Sequence, residues 1–218
     1  MKLLIAGGTG LVGQAFINQA NQNTVSLITV GRRRTGKTSN ELVVDFAALP
    51  ALPNADIAVC TLGTTIADAG SEKAFKAVDY DAVLAFARAA KQAGVCHFLI
   101  VTAIGADARA RAFYARIKGE VENELVSIGF KRLDILQPGL LLGKREARRP
   151  LEQLLQRLAP AIALLTRGPW DRYASISAER LACALWSLCH EKASGVFYHQ
   201  SPGLQHLSHK ISDVSVSN

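Results

Sequence analysis

Short runs of valine, isoleucine and leucine, continuous rather than alternating with polar residues, punctuate the chain at residues 2–6, 25–30, 42–44, 57–62, 97–102 and 132–137. Runs of this length predict strands, and their uninterrupted apolarity predicts a parallel sheet covered on both faces. Between them, apolar residues recur at helical spacing over 11–21, 72–93 and 113–126, the last with Ile117, Val121 and Leu125 on one side. This alternation predicts an α/β fold, a doubly wound, mostly parallel Rossmann sheet with helices on both faces. The segment 47–53 carries Pro50 and Pro53, which leaves room for at most a turn of helix.

After Pro138-Gly139 the pattern changes to a basic stretch at 144–149, helices near 151–165 and 178–191, and a strand at 196–199. The expected organisation is one domain, 1–218, with a dinucleotide-binding core over 1–138 and a small substrate-facing C-terminal flank over 139–203. A Ser- and His-rich tail, 204–218, is expected to fray. A length of 218 residues with 49% hydrophobic content suits one core of this size.

The formal charge of +7 is a mild excess that favours anionic partners without a nucleic-acid stripe, so a phosphorylated cofactor would satisfy it. Glycine interrupts the N-terminal apolar run too early for a signal peptide, and nothing approaches the roughly 18 apolar residues of a membrane span. No membrane partner and a cytoplasmic location are therefore expected. Cys60, Cys96, Cys183 and Cys189 lack CxxC spacing and read as buried free thiols, and His206 with His209 lacks a third ligand, so no metal is expected. His97 reads as a packed core residue.

The strongest chemical signal follows the first strand. Gly7-Gly8-Thr9-Gly10-Leu11-Val12-Gly13 opens the first helix with glycines spaced for a tight turn, a close approach of backbone to pyrophosphate, and close packing of helix on strand. At the end of the second strand, where an NAD enzyme offers a carboxylate to the ribose, the chain reads Gly31-Arg32-Arg33-Arg34. Guanidiniums there suit a 2′-phosphate, so NADP(H) is preferred, with NAD(H) allowed. Residues 31–38 also match GxxxxGK[ST], but a strand-like run follows instead of the helix that a triphosphate loop needs.

Tyr114 and Lys118 stand four apart on a predicted helix and share a face. A lysine charge about 4 Å from the phenol, at an effective dielectric of about 20, would lower the tyrosine pKa by up to about three units. That makes Tyr114 a candidate acid/base.

Together, these features resemble the short-chain dehydrogenase/reductase superfamily, in its atypical branch of oxidoreductase-like Tat-interacting proteins and small bacterial relatives. Further matching pieces are Cys60-Thr61-Leu62-Gly63-Thr64-Thr65, Gly105-Ala106-Asp107, Lys118-Gly119-Glu120 and the run from Gln137 to Gly143. The resemblance implies that Gly7, Thr9, Gly10, Leu11, Val12, Gly13, Arg32 and Arg33 bind the cofactor, with Asp45 near the adenine and Thr61, Leu62, Gly63 and Thr64 lining it. It further implies that Lys118 grips the nicotinamide ribose and that Pro138 and Gly139 face the carboxamide. The expected function is hydride transfer between the nicotinamide and a small carbonyl or alcohol, an anionic one included, by a monomer or homodimer.

The chain departs from the superfamily at the fifth strand. Val101-Thr102-Ala103-Ile104-Gly105 lacks the usual serine, leaving Thr102 as a catalytic candidate one or two residues out of register. That departure keeps a non-catalytic NADP(H)-sensing or protein-interaction module as the alternative. A nucleotide-sugar epimerase is disfavoured by the short region after Gly143. Residues 145–149 and 170–173 fit a substrate pocket or a solvated turn equally well.

Overall fold

The computed structural model describes residues 1–139, 141–142 and 175–214. Seven strands form one sheet in the order β3-β2-β1-β4-β5-β6-β9. They are β1 Lys2–Ala6, β2 Ser26–Gly31, β3 Asn40–Val43, β4 Ile57–Cys60, β5 His97–Val101, β6 Arg132–Gln137 and β9 Gly195–Gln200, and every pairing is parallel. A separate two-stranded ladder joins β7 Leu141–Leu142 to β8 Ile176–Ser177. The helices are α1 Leu11–Asn21, α2 Ile66–Ala69, α3 Glu72–Lys76, α4 Val83–Gln92, α5 Phe113–Ile128, α6 Ala178–Leu188 and α7 Ser201–Val214. The strand order reverses between β1 and β4, and the crevice at such a switch point is where ligands of open α/β sheets bind.

Successive side chains of a strand point to opposite faces, and both faces are buried. Leu4, Ala6, Phe98, Ile100 and Ile135 pack with Phe86 of α4 and Val121 and Leu125 of α5. Leu3, Ile5, Leu99 and Leu136 pack on the other side with Phe16 and Ile17 of α1 and Leu181, Leu185 and Trp186 of α6. Each fully buried large side chain of this kind contributes about 1.5–3 kcal/mol of transfer free energy.

The C-terminal part differs from expectation. Residues 195–200 are the seventh strand of the main sheet, and α6 is a core helix whose Trp186 meets Phe16 with ring centroids 6.1 Å apart. The reading of a mere flank is thus corrected: the open edge of β6 is completed by β9, and the α1 face needs a second helix to cover it. Nor do the described residues after Gly203 begin as a frayed tail: they continue the helix Ser201–Val214, in which Leu204 is fully buried and the Leu207 carbonyl accepts from Ser187 Oγ at 3.1 Å. The expected helix over 72–93 is divided by a π-helical turn, Ala77–Ala82, between α3 and α4. The segment 47–53 holds only the end of one short 3-10 turn, Phe46–Ala48. Cys60 and Cys189 are buried, whereas Cys96 is exposed and Cys183 only half-buried, so burial does not extend to all four. The basic stretch 144–149, the helix expected at 151–165 and the segment 170–173 lie outside the described residues.

Toward the start of β5 and β6 lies a buried polar cluster. Asp134 accepts from Arg132 Nε and Nη2 at 2.6 and 2.8 Å, and pairs with His97 Nε2 at 2.6 Å and His199 Nε2 at 2.7 Å. Burial alone would raise its carboxyl, but the bonds from His199, His97 and Arg132 outweigh this and hold it well below the usual carboxylate range. His97 is therefore a packed residue with a structural partner.

Candidate cofactor groove and active site

The glycine loop connects β1 to α1 through contacts that no side chain could share. Gly7 has φ +89°, and a Cβ there would lie 2.4 Å from the Thr61 carbonyl carbon; at Gly13 it would lie 2.2 Å from the Gly7 carbonyl oxygen. These are clashes with backbone, so the helix, the loop and the end of β4 close together only with glycine at both positions. Gly10 is the N-cap of α1, and no side chain caps that end. The free amides of the first turn and the helix dipole favour an anion there.

A groove of about 940 Å³ opens above this loop. That is at the upper end of the roughly 300–1,000 Å³ typical of small-molecule and cofactor sites. Of the residues expected to bind a dinucleotide, Gly7, Thr9, Gly10, Leu11, Arg32, Arg33, Thr61, Leu62, Gly63 and Thr64 line it. Val12 and Gly13 are buried behind it in α1. Asp45 does not line it: its carboxylate caps the 3-10 turn by accepting from Ala47 N at 3.0 Å, and the neighbouring Phe46 lines the groove instead. Pro138 and Gly139 are not among the described residues that line it, and Gly139 N donates to Ser201 Oγ at 3.1 Å. Sequence reading missed Gly8, Gln14, Thr29, Thr35, Asp68 and Val78 among the lining residues. Asp68 had a legible signal, since Thr65-Ile66-Ala67-Asp68 is a capping pattern in which Thr65 Oγ1 accepts from Asp68 N at 3.0 Å.

Arg32 and Arg33 are exposed at the groove's lip and pair with no carboxylate among the described residues. The strand β3, rather than a helix, follows Gly36-Lys37-Thr38, so this loop lacks the helix N-terminus of a triphosphate cradle.

Lys118 has a partner that the sequence did not disclose. Its Nζ lies 2.7 Å from Asp79 Oδ1, both side chains being almost wholly buried. Asp79 Oδ2 also accepts from Thr64 N at 2.8 Å, which ties the pair to the groove wall. Burial raises the Asp79 carboxyl, and Lys118 and the Thr64 amide only partly offset it. The π-helical turn brings Asp79 to this point; nothing in the hydrophobic pattern of 72–93 marks that insertion. Tyr114, by contrast, is 39% exposed and packs on Phe75, with Lys118 Nζ 5.9 Å from its ring centroid. The Lys118 charge that the sequence offered to the phenol as a lone cation is thus paired with Asp79.

Thr102 does not face the groove. Its buried hydroxyl donates to Glu122 Oε1 at 2.6 Å, and Gln137 Nε2 donates to both oxygens of the same carboxylate at 3.0–3.1 Å. Burial raises the Glu122 carboxyl, with Thr102 and Gln137 opposing. The carbonyl-polarising role expected of Thr102 is withdrawn on this geometry. The loop before Tyr114 crosses α5 at Gly119, where a Cβ would lie 2.2 Å from Ala108 N. Among the described residues no group of three metal-ligating side chains is placed to hold a metal ion, and no helix is long and apolar enough to cross a membrane.

Comparison with known proteins agrees with this architecture. Residues 22–164, more than half of the chain, match the family model described as HIM1. The chain belongs to the HIM1 family. Protein HTATIP2 of Rattus norvegicus is 36% identical over 167 residues, 71% of this chain and 69% of the relative. The protein FMP52, mitochondrial, of Coccidioides immitis is 32% identical over 187 residues, 76% of each chain. Several fungal HIM1 relatives carry the word mitochondrial in their names, which overturns the cytoplasmic expectation. Among solved structures, human epimerase family protein SDR39U1 with NADPH superposes with a TM-score of 0.65 at 18% identity, over 93% of this chain and 75% of that one. A short-chain dehydrogenase/reductase superfamily protein from Agrobacterium tumefaciens with bound NAD gives 0.68 at 14% identity, over 99% and 83%. The fold is the Rossmann fold of those two structures, and within the HIM1 family the chain is similar to HTATIP2.

Proposed function

We propose that the protein is an NADP(H)-binding oxidoreductase that acts on a small carbonyl or alcohol. The observation that carries this reading is a pair of exposed guanidiniums, Arg32 and Arg33, without a carboxylate partner among the described residues, at the lip of a groove whose floor is an uncapped helix N-terminus. A Cβ on Gly10 would meet only the Gly7 carbonyl, at 3.4 Å, so the missing side chain leaves groove space for a pyrophosphate. Each charge-assisted bond from an arginine to a 2′-phosphate is worth about 1.5–3 kcal/mol, enough for a tenfold preference over NAD(H) from one bond. The solved neighbours named above hold NADPH or NAD, which supports a nicotinamide dinucleotide as the ligand class.

When bound, the nicotinamide supplies or accepts the hydride. The chain's own contribution is to orient and to move a proton: Tyr114 exchanges it at Oη with the substrate oxygen, and Lys118, fixed by Asp79, holds the wall beside it. The fungal relatives' names favour a mitochondrial setting. A second reading, an NADP(H)-sensing module without turnover, is favoured by one observation. With Thr102 bound to Glu122, the end of β5 presents no hydroxyl to a substrate carbonyl. Loss of such a donor typically costs 10²- to 10³-fold in rate.

The test is a calorimetric titration with NADPH and NADH, on the wild type and on Arg32→Ala/Arg33→Ala. NADPH should bind at least about tenfold more tightly, and the double variant should lose that preference while keeping NADH. Equal weakening of both cofactors would remove the 2′-phosphate assignment. A carbonyl panel with NADPH then separates catalysis from sensing.

A further inference from the structure

The arginine loop between β2 and β3 is built by a carboxylate. Glu41 Oε1, on β3, accepts from Thr35 N at 3.0 Å, from Gly36 N at 2.9 Å and from the Thr35 hydroxyl. Thr35 Oγ1 in turn accepts from Lys37 N at 3.2 Å. The loop's far side is fastened to α1: Asn21 Nδ2 donates to the Lys37 carbonyl at 2.9 Å, and Lys37 Nζ donates to Asn18 Oδ1 at 3.2 Å. Thr35 also faces the groove, and its methyl lies against the glycine loop, 3.0 Å from where a Cβ of Gly8 would stand. Arg32 and Arg33 are thus carried on a loop anchored to β3, to α1 and to the glycine loop, with their own side chains exposed.

We propose that Glu41 positions this loop for the 2′-phosphate, so that discrimination between NADP(H) and NAD(H) depends on a carboxylate as well as on the guanidiniums. The inference rests on the reading of the groove as an NADP(H) site. Charge alone would argue the reverse, because a carboxylate near a phosphate repels it. Here the charge is absorbed by three donors, led by the Thr35 hydroxyl, that hold the carboxyl below its ordinary range. What remains is preorganisation: a loop held in the binding geometry does not pay its ordering cost when the ligand arrives.

The two roles predict opposite signs, and calorimetry with NADPH and NADH reads them without any need for turnover. Positioning predicts that Glu41→Ala weakens NADPH about tenfold while NADH changes less than about twofold. Glu41→Gln, which keeps an acceptor oxygen, should recover much of the loss. Thr35→Val, which keeps the methyl on the glycine loop and removes the hydroxyl, should shift the ratio in the same direction and serves if Glu41→Ala does not fold. Tighter NADPH binding in both Glu41 variants would show a purely coulombic role and overturn the proposal. An unchanged ratio, or equal weakening of both cofactors, would overturn it too. The wild-type arm separates the two levels: if the wild type shows no NADPH preference, the reading of the groove itself fails, and this inference with it.

Discussion

Replacing Asp79 by Asn should cost more stability than replacing the whole Asp79–Lys118 pair. At 2.7 Å and an effective dielectric of about 20, the gross attraction is about 6 kcal/mol, but two nearly buried charges repay most of that in lost hydration. The pair's net worth is small, whereas stranding one buried charge is expensive. Asp79→Asn leaves the ammonium without its carboxylate and should cost about 3–5 kcal/mol, a Tm loss of roughly 6–20 °C in a domain of this size. Lys118→Met should cost less, because a carboxyl already raised by burial can take up a proton. Its sign with pH is fixed by that shift: the folded chain holds the Asp79 proton above the pH at which the unfolded chain releases it. Stability of Lys118→Met should therefore fall as pH rises above the ordinary carboxylate range. The assay is denaturant unfolding of the wild type, both single variants and the double at neutral pH, closed as a thermodynamic cycle. The double should lie within about 1 kcal/mol of Lys118→Met. Additive single costs, or an Asp79→Asn cost below about 1 kcal/mol, would refute a buried and coupled pair.

Three further outcomes follow from other parts of the molecule. Asp134→Asn should destabilise by about 3 kcal/mol at neutral pH. Because the folded carboxyl is held down, its contribution is full above the unfolded pKa of about 3.9 and lost as pH falls further, so the variant should show a flatter acid limb in a stability-against-pH series. Gly13→Ala, with its added carbon 2.2 Å from the Gly7 oxygen, should cost about 1–3 kcal/mol and abolish NADPH binding by calorimetry, since the loop must shift to admit it. Tyr114→Phe should abolish turnover with any carbonyl substrate found, while its NADPH affinity stays within about twofold of wild type; unchanged turnover would remove Tyr114 from the chemistry.

The core strands were legible because a parallel strand buried on both faces needs uninterrupted apolar residues, and 132–137 was delimited to the residue. The glycine loop was legible for a similar reason, since backbone clashes admit only one residue type. What escaped reading depends on long-range contacts. Asp79 is 39 positions from Lys118, and a π-helical turn within a helical pattern, not a motif, aims it there. Thr102 was misjudged because the direction of its hydroxyl is set by Glu122, twenty residues on, in a helix whose buried face looked apolar. Likewise the Ser- and His-rich composition of α7 predicts fraying, and the burial of Leu204 against the rest of the fold decides otherwise.

The place of β9 and α6 bears on how the protein is made. Residues 178–188 cover Phe16 and the face of β1, and residues 195–200 complete the sheet against β6, although α1 and β6 are translated long before them. During vectorial synthesis that apolar face has α1 but not α6 against it until nearly two hundred residues have been made. A stop codon before residue 178 would leave every residue that lines the groove encoded, yet the sheet they stand on without α6 and β9.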